Sequence, residues 1–266
     1  MKPYNRRSLF ILVVGAIAAW SVPGLTQAPE RLSNNDVKLL IEHVDEGRDK
    51  FDGNLDGGFK SSILRGSTGE AKVSAALDDY KDNTKKLKDR FTDDYSASAE
   101  VATVLKQSTA IDQFMQNSAT GMKGRSEWDS QVTNLKRLAT AYGTTFPLPD
   151  GGTARRMNDR ETAAEAAAVA AAAERFKSDL GKDKMLPKSE VDAARNDVDL
   201  LIKKANAVKS RTNDGKPATA ELRQLVEQTD KVQAFVATHQ IPTAAANWRA
   251  LQTSLDNLQV AFGVKK

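Results

Sequence analysis

The run Asp52-Gly53-Asn54-Leu55-Asp56-Gly57 comes closest to a known chemistry. Side-chain oxygens at its first, third and fifth positions, with glycine at the sixth, match the opening of a calcium loop. There hard oxygens surround the cation and the glycine permits a sharp turn. A bidentate glutamate should follow at the twelfth position, but Ile63 stands there. The ninth position is Lys60, which would set a cation against the cation. The run therefore reads better as a helix end: Phe51 and Leu55 share an apolar face, and Gly57 and Gly58 are expected to cap it. Asp45, Asp49, Asp52 and Asp56 form one acidic stripe beside that face, expected to be a solvated edge that meets lysines of a neighbouring helix.

Other chemistries fail on residue type or spacing. The only histidines are His43 and His239. Neither has the Glu-x-x-His spacing of di-iron bundles, and a haem would need facing buried axial ligands. The absence of cysteine removes thiol catalysis, iron–sulfur ligation, covalent haem attachment and lipidation of a leader cysteine. No Gly-x-Ser-x-Gly run is present, and Arg65-Gly66-Ser67-Thr68-Gly69 lacks the Gly-Lys-Ser/Thr ending of a phosphate loop. Carboxylates are plentiful but fall on polar helix faces with no expected cleft. We assign no catalytic, cofactor-binding or metal-binding residue, and an enzyme is not expected.

Charge narrows the partners. The formal net charge is +4, but Lys2, Arg6 and Arg7 supply three of those charges, so the chain from Pro29 onward is nearly neutral. Residues 29–150 hold 17 basic and 20 acidic side chains, and residues 151–266 hold 19 and 15. Nucleic acid is not expected as a partner. Lys81, Lys85, Lys86, Lys88 and Arg90 alternate with Asp78, Asp79, Asp82 and Asp89, the pattern of a solvated helix surface.

The elements that would position any site are helices. Val37, Leu40, Ile41, Val44, Phe51 and Leu55 recur at helical spacing behind the N-cap candidates Ser33 to Asp36. A second stripe runs from Val73 to Phe91, a third from Val101 to Met115, and a fourth from Trp128 to Gly143. Each is about 20 residues, roughly 30 Å. Pro147, Pro149, Gly151 and Gly152 interrupt the pattern, which then restarts. Trp128, Thr133, Leu135, Leu138, Ala141, Tyr142 and Gly143 fall on Trp248, Thr253, Leu255, Leu258, Ala261, Phe262 and Gly263 at a shift of 120. Phe51 and Leu55 likewise answer to Phe176 and Leu180, and the stripe from Val101 to Phe114 answers to Leu222 through Phe235. Internal duplication follows. Trp128, Val132, Leu135, Leu138 and Tyr142 lie on one helical face, which makes the tryptophan a packing anchor. The stretch from Ala163 to Glu174 is nearly polyalanine, a strong helix former that must pack close or hold its neighbours loosely.

The Asp49–Asp56 run, Phe114-Met115 and the Trp128–Tyr142 pattern resemble uncharacterised exported helical-repeat proteins of environmental bacteria. That resemblance spans most of residues 33–143, more faintly 160–263, and implies no activity.

Residues 1–28 carry a basic start, an uncharged stretch from Leu9 to Trp20 and a small-x-small site at Thr26-Gln27-Ala28, the plan of a signal peptide. The alternative is an uncleaved anchor, since Ser8 to Pro29 is long enough to span. The expectation is an all-α protein of the periplasm or cell exterior, or one anchored to the inner membrane. After the signal peptide come a first antiparallel four-helix repeat at 29–146, a Pro/Gly linker at 147–157 and a second four-helix repeat at 158–266. Its expected role is a non-enzymatic structural or protein-interaction module that offers helix faces to a protein partner. The alternative is a bundle that binds a small molecule or metal ion. Oligomeric state is open.

Overall fold

A computed structural model describes residues 31–66, 69–118, 121–182, 184–239 and 241–264; the leader read at 1–28 lies outside them. The fold is all-α apart from one small hairpin. The principal N-terminal helices are α1 (Asn34–Asn54), α3 (Val73–Arg90), α4 (Ser98–Gln116) and α5 (Arg125–Ala141), with a single turn, α2 (Gly57–Lys60), after α1. The later helices are α6 (Asp159–Leu180), α7 (Lys188–Asn213), α8 (Thr219–His239) and α9 (Ala245–Ala261). Among the described residues no helix is long and apolar enough to cross a membrane.

The starts of α1 and α6 are fixed the same way. Ser33 Oγ accepts from the Asp36 N–H at 3.2 Å while Asp36 Oδ2 accepts from the Ser33 N–H at 3.1 Å. Asn158 and Glu161 repeat this reciprocal capping at 2.7 and 2.8 Å. Each box satisfies two backbone donors that a helix start otherwise leaves unpaired.

Apolar side chains gather in two clusters. Val37, Tyr80, Leu105, Trp128 and Leu135 belong to the one formed by α1, α3, α4 and α5. Val169, Phe176, Val198, Leu222 and Trp248 belong to the one formed by α6 to α9. Phe51 meets Trp128 with ring centroids 4.9 Å apart, and Phe176 meets Trp248 at 5.2 Å. The alanine-rich α6 takes the close-packing course: Ala163, Ala166, Ala172 and Ala173 are buried, and the helix lies against α7 and α9.

Two local expectations change. Gly57 and Gly58 do not cap α1, which ends at Asn54 with Leu55 as its cap residue. Asp56 instead caps α2, accepting from the Gly58 N–H at 2.8 Å. The stretch that follows, left without an element between the stripes ending at Leu55 and starting at Val73, forms the antiparallel strands β1 (Ile63–Gly66) and β2 (Gly69–Lys72). Four-residue strands are too short for an alternating pattern to show. The segment after α5 also does more than link. Phe146 and Ala154 join the first core, and the Leu148 N–H donates to Thr109 Oγ1 at 3.0 Å. The Arg155 N–H reaches the Tyr142 carbonyl at 2.9 Å, and Ser96 Oγ donates to the Arg156 carbonyl at 2.9 Å. The Pro/Gly segment is strapped along the first group of helices.

Candidate functional site

The two groups of helices meet where α1 and α6 begin, through residues that correspond at a shift of 125. Arg31 donates to the Met157 carbonyl at 2.8 Å, and Arg156 donates to the Leu32 carbonyl at 2.8 Å. The Asn34 N–H donates to Asp159 Oδ2 at 2.8 Å, and the Asp159 N–H donates to Asn34 Oδ1 at 3.2 Å. Arg31 and Arg156 each reach a carbonyl of the opposite segment, and Asn34 and Asp159 each give a backbone N–H to the other's side chain, the reciprocity of a two-fold contact. The Arg31 guanidinium also lies over the Phe262 ring, 5.4 Å from its centroid. Arg160 adds an exposed pair with Asp94 at 2.6 Å.

This junction buries positive charge. Arg31 pairs with Asp159 at 2.7 Å, while Arg156 stands 3.7 Å from the same carboxylate. Burial, then the neighbouring Arg31 charge, pulls the Arg156 guanidinium down to about 10. Arg31 is lowered as well, chiefly by burial. Burial raises the Tyr142 hydroxyl, whose proton is given to the Ser96 carbonyl. Two buried cations facing one close carboxylate project positive potential into whatever space adjoins them.

That space is a cleft of about 1730 Å³ between the two groups of helices. Its walls are the corresponding ends of α5 and α9: Lys136, Arg137 and Thr140 on one side, Asp256, Asn257 and Val260 on the other. These three pairs are related by the shift of 120 that relates Trp128 to Trp248. A third side comes from α6, where Glu161, Ala164, Glu165 and Ala168 follow helical spacing. The α5 wall is therefore basic and the α6–α9 side largely acidic. Lys136, Arg137 and the adjoining Arg155 make no ion pair with described residues. Val260 is 82% exposed, the largest apolar exposure on these walls. Charge of both signs thus flanks exposed apolar surface along the cleft.

The residues singled out by sequence lie elsewhere. Lys60 Nζ sits 2.7 Å from Asp52 Oδ1, and Asp56 is occupied with capping. Asp45 contacts Arg48 and, from α3, Lys88, the neighbouring-helix contact expected of the acidic stripe. His43 is exposed, and His239 Nε2 lies 2.8 Å from Glu190. Among the described residues no group of three or more His, Asp or Glu side chains could hold a metal ion. Trp128 is a core anchor, 1% exposed, donating to Asp112 Oδ1 at 2.8 Å. Trp248 is its counterpart, donating to Gln233 Oε1 at 3.0 Å. Sequence reading missed the junction, whose signal was Arg-Leu-Ser-Asn at 31–34 against Arg-Met-Asn-Asp at 156–159.

Comparison with protein families, with curated proteins and with solved structures found no match.

Proposed function

We propose that the protein is an exported, non-enzymatic binding module built from two tandem antiparallel four-helix repeats, and that it engages a protein partner through the cleft between them. The observation that carries this reading is the cleft itself, walled by corresponding helix ends of the two halves. Its volume of about 1730 Å³ exceeds the ~300–1,000 Å³ usual for small-molecule pockets. An extended segment or a helix of another protein is the better match, and helical spacing along α6 suits a groove that receives a helix. The duplication is supported by the paired capping boxes, the Phe–Trp contacts and the reciprocal junction at 31–34 and 156–159. Export rests on the leader pattern at 1–28.

Two measurements test the reading. The protein purified from its native envelope should begin near Pro29; retention of Met1 would remove the cleaved signal. Val260→Arg, at an exposed position, should leave the melt unchanged and abolish recovery of the partner that the wild-type chain retains from an envelope extract. Equal recovery by Val260→Arg would move the binding surface elsewhere.

A further inference from the structure

A second concavity lies toward the start of α9, whose far end walls the cleft, at the foot of Trp248, and its chemistry is different. It is an open hollow of about 320 Å³ lined by Phe176, Val236, Ile241, Pro242, Ala245 and Trp248, with the exposed Arg249 beside them. This volume is within the small-molecule range, and apolar walls with a single convergent charge are the usual make-up of such a site. Buried methionines stand at the corresponding places in the N-terminal helices. The Trp–Asp112 and Trp–Gln233 hydrogen bonds align α4 with α8 at a shift of 121, which puts Met115 opposite Val236. Met115 is fully buried, whereas Val236 is shorter and only half-buried. At the shift of 120 the buried Met122 falls on Pro242. Two long flexible side chains, the kind that fill irregular gaps, are replaced by smaller rigid ones, and space remains.

The charges change with the volume. Near Trp128, Arg125 is engaged: its guanidinium donates to the Met115 carbonyl and lies 3.5 Å from Asp129. At the corresponding positions stand Ala245 and Arg249. Arg249 donates to the Ala245 carbonyl at 3.3 Å and forms no ion pair with described residues. The second half has thus emptied a pocket and placed an uncompensated cation at its edge. From this we infer that the Trp248 pocket binds a small apolar carboxylate, its hydrocarbon body against Val236, Pro242 and Trp248 and its carboxylate at Arg249. This site is independent of the inter-repeat cleft.

The test is calorimetric titration of the intact protein with octanoate, octanol and octylamine. The site predicts one octanoate per chain, with octanol weaker by roughly two- to fivefold, the range expected for losing one rim ion pair, and octylamine weaker still. Val236→Met, which restores the residue found in the first half, should weaken octanoate binding at least tenfold. Ala245→Leu fills the pocket from its other wall and serves if Val236→Met lowers the melting temperature. Arg249→Gln should bring octanoate down to the level of octanol, and Arg249→Asp should bring it lower still. Failure of octanoate to bind at millimolar concentration would overturn the inference. So would undiminished binding to a folded pocket-filled variant, or equal binding of octylamine.

Discussion

Truncating the two corresponding tryptophans to alanine should cost different amounts, and the structure says which costs more. Loss of a buried Trp side chain costs ~3–5 kcal/mol through lost transfer energy and the cavity left behind. Trp128 is 1% exposed and packs on Phe51 at 4.9 Å. It also donates to Asp112 Oδ1, on a carboxylate that is itself buried. Gln116 still serves Asp112 Oδ2 at 2.6 Å, but Oδ1 would lose its donor, a further ~1–3 kcal/mol. These terms overlap, so Trp128→Ala should cost about 5 kcal/mol. Trp248 already borders a pocket of about 320 Å³ and so has fewer packed neighbours to lose. Its acceptor, Gln233 Oε1, keeps the Gln252 amide at 2.7 Å. Trp248→Ala should cost about 3 kcal/mol. Urea unfolding followed by far-ultraviolet circular dichroism, with slopes compared to detect separate transitions, measures both. Costs equal within about 0.5 kcal/mol, the scatter normal for independent sites, would refute the packing argument, as would a larger cost for Trp248.

Gly47→Ala should lower stability by about 1–3 kcal/mol, although alanine is the better helix former by ~1 kcal/mol. A Cβ there would stand 2.1 Å from Gln131 Oε1. The Gln131 amide is held at 2.8 Å to the Val44 carbonyl and 2.7 Å to the Tyr80 hydroxyl, so a higher melting temperature would contradict this network. Burial raises the Tyr80 and Tyr142 hydroxyls above their ordinary value, so their contribution is intact below pH ~10. It is then lost by up to ~1.4 kcal/mol per pH unit for each as the unfolded chain ionises first. Melting temperatures from pH 9 to 11 check this, and Tyr142→Phe should reduce the slope; a flat profile in the wild type would oppose it. Residues 31–157 made alone should melt cooperatively and above a fragment ending at 146, which lacks the Ala154 packing and the Ser96–Arg156 bond. Equal melting temperatures would mean that the strap is idle.

The long helices were legible because burial stamps a 3.6-residue period on residues such as Val37, Leu40, Ile41 and Val44, and all four are buried. Trp128 was legible for the same reason, and the start of α1 through its capping residues. The hairpin was not, because four residues per strand carry no period. The cleft was not legible either. Lys136, Arg137, Asp256 and Val260 sit on outer helix faces, where sequence shows only polarity and not which faces come together. The buried roles of Arg31 and Arg156 were hidden because an arginine in a loop reads as solvated until its partners are known. Aligning the starts of α1 and α6 would have shown the pair.

The central claim, that the cleft is where this protein meets its partner, is tested most directly by site-specific photocrosslinking in the cells that make it. A photoreactive residue at position 260 on the α9 wall should capture one discrete protein partner. The same residue at exposed Lys203 on α7, away from the cleft-lining residues, should capture none. Capture from position 203 with none from position 260 would contradict the account.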